Sequence, residues 1–205
     1  ERLETPIQKS KGTPKKTEAF TEIVRGFQNT VCQNINDSLN NISLSDISSV
    51  IQSLSNLDRS VYLLGGRYTD VLARHFYLHL HAIRDNIWHI EGQTSTWAEY
   101  ILDIQKDDIV IIFDIRRYQS NTAIFAKRAT DRGAKIILFT DQWYSPISHH
   151  AHKVFSFQIK APSNWDSSAA ILTMVDIILA QLTKGLWEKI KDRLESREAI
   201  FESFF

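Results

Sequence analysis

The chain has 205 residues, of which 43% are hydrophobic, so it can bury the core of one large domain or of one domain with an extension. Its 24 basic and 24 acidic residues cancel, and this balance argues against nucleic-acid binding by this chain alone, which normally needs a clustered basic excess. A single cysteine, Cys32, excludes an internal disulfide framework and fits a reducing compartment, so we expect a cytoplasmic protein.

The first 18 residues differ in character from the rest of the chain. They read ERLETPIQKSKGTPKKTE, with two of the four prolines, several lysines and almost no apolar pattern. This composition predicts a linker or a solvated arm over residues 1–18. The chain begins at Glu1 rather than at a methionine, which suggests a fragment of a longer protein.

Two helices are predicted between residues 19 and 57. The first has apolar residues at helical spacing, namely Phe20, Ile23, Val24, Phe27, Val31 and Ile35. The second is expected to begin after Ser43 as its N-cap, with Asp46 at the third helical position. Its apolar face consists of Leu44, Ile47, Val50, Ile51 and Leu54.

After Asp58, short apolar runs alternate with helical segments. The predicted strands are Val61–Gly66, Ile87–Gly92, Asp108–Ile115, Lys135–Asp141 and Lys153–Ile159. The helices that follow them are expected near 69–84, 97–104, 120–132, 147–151 and from about 167 onward. This alternation predicts an α/β fold, a doubly wound five-stranded parallel sheet with an N-terminal helical extension. The apolar run in the last helix is interrupted by Asp176 and too short for a membrane span, so no membrane partner is expected.

The exit of the third predicted strand carries an unusual group of polar residues. In chain order these are Arg116, Arg117, Tyr118, Ser120, Asn121 and Thr122. Ligands of doubly wound sheets bind outside the carboxyl ends of the strands, and helix N-termini attract anions. Two guanidinium groups beside such a terminus predict a site for a phosphate or carboxylate. The alternative is that the arginines pair with nearby acids such as Asp114 or point into solvent.

The exit of the first predicted strand resembles the third in its residue types. It consists of Gly65, Gly66, Arg67, Tyr68 and Thr69. A pair of glycines lets the backbone approach a ligand closely. These residues do not form a GxGxxG motif, and no acidic residue follows at the distance that dinucleotide binding requires. A nicotinamide-binding domain is therefore excluded, and no cofactor is expected.

The order of these elements, from about Val61 to Leu182, resembles a SIS domain, the sugar isomerase fold that binds phosphosugars. The segments RGAKIILFTDQWYSPISHHAHKVFSF and SNWDSSAAILTMVDIILAQL are similar to the last strands and the last helix of that family. The opening ERLETPIQKSK resembles the end of the helix-turn-helix domain that precedes SIS in RpiR-type bacterial transcription regulators. The resemblance implies an arm at 1–18 after an absent DNA-binding domain, a helical connector at 19–57, and a SIS domain with a long C-terminal helix at 58–205.

The strand exits depart from the pattern of that family. Phosphosugar-binding SIS domains usually carry Ser-x-Ser-Gly-x-Thr after the third strand, whereas the present stretch runs from Asp114 to Thr122 and is mostly without small hydroxyl residues. Either arginines replace hydroxyls as ligands of an anion, which we favour, or side chains fill the cavity and leave a dimerisation scaffold without a ligand. The residues expected to bind ligand are Gly66, Arg67, Tyr68, Thr69, Arg116, Arg117, Tyr118, Ser120, Asn121 and Thr122.

A sugar-phosphate isomerase would need a base at the site. Candidates are Glu91 and the histidines of HHAH, which are His149, His150 and His152, but no catalytic constellation is recognisable. His75 and His79 share a helix face without the glutamate of a HExxH motif, so no metal is expected. The resemblance implies an effector-binding, dimerising domain that senses a phosphosugar or other small anionic metabolite. We expect that the chain is not an enzyme, that it forms homodimers or higher homo-oligomers, and that it contacts DNA only through the absent domain.

Overall fold

The computed structural model describes Thr5 and residues 20–205, so the predicted arm at 1–18 lies, apart from Thr5, outside the described residues. The helices are α1 (Phe20–Asn41), α2 (Leu44–Leu54), α3 (Asp70–Ile83), α4 (Trp97–Asp103), α5 (Ser120–Asp131) and α6 (Ala169–Glu202). The strands are β1 (Val61–Gly65), β2 (Ile87–His89), β3 (Ile109–Asp114), β4 (Lys135–Asp141) and β5 (Lys153–Phe157). Two short 3-10 turns occupy Thr94–Thr96 and Pro146–His149.

The five strands form one parallel sheet in the order β2-β1-β3-β4-β5, which confirms the predicted doubly wound fold. From β1 the chain moves outward to β2 and then returns to the other side of β1 to form β3. The switch point of the sheet therefore lies between β1 and β3. In the register of these two strands Gly65 lies opposite Phe113, so both strands end at the same level.

The sheet is covered by helices on both faces, because its strands are apolar at consecutive positions rather than alternate ones. All six residues of β3 are buried. Ile109, Ile111 and Phe113 pack in the layer that contains α2, α3 and α6. Val110 and Ile112 point to the opposite layer, which contains α5. This two-sided burial places the polar strand exits at the carboxyl edge of a closed core.

The last helix, α6, has 34 residues and two different halves. Its first half is part of the core, with Ala170, Ile171, Met174, Val175, Ile178 and Leu182 buried. Among the described residues it is the one helix long and apolar enough to cross a membrane, and its buried residues belong to the core of the domain. Its far end is different, since Trp187, Ile200 and Phe201 on the helix and Phe204 and Phe205 after it are exposed.

Helix α1 packs beside β5, with Ile35 and Leu39 against the core and two hydrogen bonds to the segment that follows the strand. The Asn34 side chain donates to the Lys160 carbonyl at 2.6 Å, and the Ser38 hydroxyl accepts from the Gln158 N–H at 2.9 Å. The apolar stripe predicted for this helix forms, but its first half faces away from the domain, with Phe20 78% and Phe27 41% exposed. The helix therefore presents an uncovered apolar face to its surroundings.

Arg84 joins the helical pair α1–α2 to the sheet domain. Its buried guanidinium donates to the carbonyl of Leu54 at 2.6 Å and to the carbonyl of Arg59. Because Leu54 is the last residue of α2, the positive charge meets the negative end of the helix dipole. Burial lowers the pKa of Arg84 from its ordinary value.

Most predicted boundaries differ from the structure by one to a few residues; β1, for example, ends at Gly65 rather than Gly66, and β5 ends at Phe157 rather than Ile159. The second strand ends at His89 instead of Gly92, although the Ile90 N–H still donates to the Leu63 carbonyl of β1 at 2.9 Å. The short helix expected at 147–151 is the 3-10 turn Pro146–His149, opened by the Ser145 hydroxyl, which accepts from the Ile147 N–H. The last helix begins at Ala169 rather than 167. The N-cap position of Ser43 is confirmed, although its hydroxyl bonds that of Ser45 and makes no cap bond to the helix backbone.

Candidate functional site

The turn after β1 is tied directly to the end of β3. The N–H of Gly66 donates to the Thr69 hydroxyl at 2.7 Å, and that hydroxyl donates to the carbonyl of Phe113 at 2.6 Å. A side chain at Gly65 would place its Cβ 2.4 Å from the Asp70 backbone, so this close turn requires glycine. The predicted residues Gly66 and Thr69 therefore fix the backbone on one side of the switch point.

A residue that sequence reasoning missed, Gln119, joins the two strand exits. Its side-chain oxygen accepts from the N–H of Arg67 at 3.1 Å. The same oxygen would lie 3.0 Å from a Cβ atom added at Gly66. Gln119 is the N-cap residue of α5. The only signal in the sequence is a long polar side chain between the predicted residues Tyr118 and Ser120. The β1 and β3 exits thus meet, and a side chain of the protein lies across their junction.

Arg116 is held by an acid that lies far away in the sequence. Its side chain is 3% exposed and forms a two-pronged ion pair with Asp166, with Nε at 2.9 Å from Oδ2 and Nη2 bonded to Oδ1. The guanidinium also lies over the ring of Trp143, 4.4 Å from its centroid. Pairing with an acid was one predicted alternative, but the partner is Asp166 and not Asp114.

Asp141, the last residue of β4, organises the β3 exit from the neighbouring strand. Its carboxylate accepts from the N–H of Arg116 and the hydroxyl of Tyr118, both at 2.6 Å, and from the N–H of Trp143 at 3.0 Å. The phenol of Tyr118, a predicted ligand residue, is therefore bonded within the fold. Three donors converge on one buried carboxylate, which fixes the path of the loop.

Asp114, the last residue of β3, is a buried acid. Its carboxylate accepts hydrogen bonds from the Ser145 hydroxyl and from the N–H of Gln119. Burial raises the pKa of Asp114 to about 6, against the opposing effect of these hydrogen bonds, and the nearby charge of Asp141 adds to the rise. The switch point therefore has two carboxyl groups behind its arginines, and one of them titrates close to neutral pH.

The outer rim of the site is formed by exposed residues of both exits. The guanidinium of Arg67 lies 5.1 Å from the ring centroid of Tyr68, and that ring meets Trp165 edge-on at 6.0 Å. Arg117 and Ser120 are exposed. The rim therefore combines two exposed cations with aromatic faces.

The remaining predicted residues, Asn121 and Thr122, belong to the first turn of α5. The Asn121 side chain accepts from the N–H of Thr122 at 3.0 Å. Thr122 is 0% exposed, and its hydroxyl has no hydrogen-bond partner among the described residues. The structure brings these two residues to the helix N-terminus as predicted, with Thr122 beneath the surface rather than on it.

The bases considered for an isomerase lie on other parts of the sheet. Glu91 contacts His89 at 2.9 Å near the β2 edge, and the other ring nitrogen of His89 contacts Asp70 at 2.9 Å. A cavity of about 490 Å³ lies beside this group and a second, of about 370 Å³, lies along β5. His149 and His150 are exposed. No group of three or more His, Cys, Asp or Glu residues in the described part of the chain has a metal-binding arrangement.

The chain matches a known protein family in sequence and resembles solved structures in fold. The family model of the SIS domain matches residues 54–181. No curated protein matches the chain by sequence. Among solved structures, the sugar isomerase domain of an RpiR transcription factor from Sphaerobacter thermophilus is similar, with a TM-score of 0.78 and 19% identity over 86% of this chain and 97% of that one.

Two further structures show the range of proteins with this fold. NanR of Vibrio vulnificus complexed with ManNAc-6P has a TM-score of 0.74 and 12% identity, over 92% of this chain and 71% of that one. A phosphoheptose isomerase from Francisella tularensis has a TM-score of 0.66 and 14% identity, over 82% of this chain and 97% of that one. Regulators and isomerases thus share this fold, and function must be argued from the site.

Proposed function

Because this chain belongs to the SIS domain family, we propose that it is the effector-binding and dimerisation domain of an RpiR-type bacterial transcription regulator. The effector is a small anionic metabolite, with phosphosugars as one candidate class. Similarity to an RpiR domain and to NanR supports this proposal, since NanR is complexed with ManNAc-6P. DNA contact is assigned to a helix-turn-helix domain on the N-terminal side of Glu1, and the protein is expected in the cytoplasm.

The observation that carries the proposal is the junction of the β1 and β3 exits. Arg67 and Arg117 are exposed at this junction, and Arg116 lies behind them. The N-terminus of α5 is beside them in the chain, and the partial positive charge of a helix N-terminus favours an anion. Three guanidinium groups at the switch point of the sheet thus stand where ligands of such sheets bind.

The proposed regulation couples this junction to a dimer interface. The uncovered face of α1 and the exposed end of α6 supply apolar surface that a second copy of the chain would bury. A ligand that prefers one arrangement of the two copies would shift their geometry, with a typical coupling of about 1–3 kcal/mol. Effector sensing, in this proposal, is the ligand-dependent change in the geometry of the dimer.

We do not assign an isomerase activity to the chain. Catalysis of that kind needs a base within hydrogen-bond reach of the substrate. Asp141 is buried and already accepts three hydrogen bonds, and Asp114 is buried beneath the loop. Asp114 and Asp141 therefore support the fold rather than face a substrate.

A second candidate function is a dimerisation scaffold without a ligand. Gln119 lies across the junction, Tyr118 is bonded to Asp141, and Arg116 is paired with Asp166. These contacts fill and neutralise part of the crevice, as the second predicted alternative requires. The two candidates differ in what the exposed arginines do.

The experiment that separates the candidates uses Arg67→Ala and Arg117→Ala, with Arg128→Ala, an exposed arginine at the far end of α5, as the control. Binding of phosphosugars, sugar acids and inorganic phosphate is measured by calorimetry, and dimer dissociation is measured by sedimentation on the same proteins. Loss of about 1.5–3 kcal/mol of ligand binding in the first two variants alone supports the effector site. An unchanged ligand response with a weakened dimer supports the scaffold.

A further inference from the structure

The segment between β5 and α6, which we call the cap loop (residues 160–168), contacts both strand exits. Its Trp165 meets Tyr68 of the β1 exit, and its Asp166 pairs with Arg116 of the β3 exit. Lys160, at its start, lies 5.9 Å from the ring centroid of Trp143. Most of this loop is exposed, and Trp165 is 59% exposed. The loop thus covers the junction while burying little apolar surface of its own.

The contact between the cap loop and Arg116 has the geometry of carboxylate recognition. Nε and Nη2 of the guanidinium each bond one oxygen of Asp166, and the guanidinium carbon lies over the ring of Trp143. A planar fork of this kind fits a carboxylate with two parallel bonds. The Asp166 carboxylate therefore occupies a position that is shaped for a planar monoanion.

The same surroundings are unfavourable for a phosphoryl group. Few small hydroxyl residues lie at the two exits, Thr122 is fully buried, the Thr69 hydroxyl is bonded to the Phe113 carbonyl, and Gln119 already accepts from the Arg67 N–H. The carboxyl groups of Asp114 and Asp141 lie at the neighbouring strand ends. A dianion at Arg116 would be repelled by both acids, whereas a carboxylate that replaces Asp166 leaves the local charge unchanged.

Arg116 also determines how a ligand can enter. Its side chain is 3% exposed, and a buried guanidinium left without its partner would be costly. A ligand that brings its own carboxylate avoids that cost, because it exchanges one two-pronged pair for another. The freed Asp166 moves into solvent together with the cap loop.

We propose that the ligand of this site is a carboxylate-bearing metabolite such as a sugar acid, whose carboxylate displaces Asp166 from Arg116 and releases the cap loop. This inference rests on the proposed effector function and names its ligand class and its response. Tyr68 of the β1 exit and Trp165 of the cap loop are each more than half exposed, so their rings are open to the C–H groups of a sugar. Asp166 acts as an internal competitor that sets the affinity.

The test compares glucuronate with glucose 6-phosphate, which share a hexose ring and differ in the anion at C6, together with acetate and inorganic phosphate as minimal probes. Binding is measured by calorimetry on the wild type, on Asp166→Asn and on Asp107→Asn. Asp107 is a partly exposed acid that pairs with Lys135, so its variant controls for the loss of one carboxylate. The wild type is expected to bind the carboxylate of each pair more tightly. Asp166→Asn is expected to gain about tenfold or more in carboxylate affinity, because no internal competitor remains.

Hydrogen exchange of residues 160–168 in the wild type gives a readout that needs no variant. Exchange is expected to rise when a carboxylate binds. Tighter binding of the phosphate member of each pair overturns this inference and leaves the effector function standing. Carboxylate binding without faster exchange in the cap loop also overturns the inference. So does carboxylate binding that is no tighter in a folded Asp166→Asn variant than in the wild type. Failure of all four probes to bind at millimolar concentration, in the wild type and in Asp166→Asn, overturns the inference and the effector function together.

Discussion

Replacing the buried acid at the end of β3, in the variant Asp114→Asn, should change how stability depends on pH. Burial raises the pKa of Asp114 from 3.8 to about 6. An acid with a raised pKa in the folded state contributes stability that is fully present below its unfolded pKa and is lost as the pH rises through its folded pKa. A difference of about two pKa units corresponds to about 3 kcal/mol, at about 1.4 kcal/mol per unit. This amount is lost between about pH 4 and pH 7.

The asparagine variant does not ionise, and its side-chain oxygen can still accept from Ser145 and Gln119. Its free energy of unfolding, relative to that of the wild type, should therefore rise by about 3 kcal/mol from pH 4 to pH 7. Urea denaturation of both proteins across this range measures the difference. The control is Asp107→Asn: ion pairing with Lys135 lowers the pKa of Asp107, so the effect of this group lies mainly below pH 4, and the variant should show no rise in relative stability from pH 4 to pH 7. Parallel stability curves for Asp114→Asn and wild type would refute the reasoning.

Three other substitutions test the remaining contacts. Phe27→Lys, on the uncovered face of α1, should weaken self-association by about 2 kcal/mol or more in sedimentation. The control Leu102→Lys, at an exposed leucine of α4, should leave self-association unchanged. A monomeric wild type at micromolar concentration would contradict this prediction. Arg84→Met should lower the free energy of unfolding by about 3 kcal/mol, since it leaves two carbonyls without their buried donor, and a loss below about 1 kcal/mol would count against that role. Gly65→Ala should lower the melting temperature more than Gly66→Ala. The new Cβ meets the α3 backbone at 2.4 Å in the first variant but only the movable end of the Gln119 side chain at 3.0 Å in the second. Equal shifts in melting temperature would be inconsistent with this geometry.

The fold could be predicted from the sequence because its signals are local and repeated. Each strand is a short continuous apolar run, and each is followed by a helical segment, which is typical of a parallel sheet with two covered faces. The polar residues at the ends of β1 and β3 could be brought together on the same grounds, since a switch point places two such exits side by side. Backbone topology was therefore accessible without any knowledge of side-chain pairing.

The pairing of the site residues could not be predicted from spacing. Arg116 and Asp166 lie 50 residues apart, and no periodicity relates a strand exit to a distant loop. Asn34 and Ser38 are buried polar residues on α1, whereas the first half of its apolar stripe is exposed, so the helical period alone did not indicate which residues contact the sheet domain. Both features depend on the path of the whole chain, which sets partners and exposure after the helices and strands have formed.

The position of the cap loop bears on how a small contact could alter an assembly. Asp166 lies shortly before Ala169, the first residue of α6, while the exposed apolar end of that helix is at its other terminus. A helix of 34 residues is about 50 Å long, so a tilt of about five degrees at its start moves its far end by about 4 Å. The first half of α6 is packed in the core, and close-packed cores shift between discrete arrangements rather than deform continuously. An exchange of one carboxylate at Arg116 would therefore change the position of the α6 end only by moving the helix as a rigid body, and in a dimer that end would carry the change to the second copy.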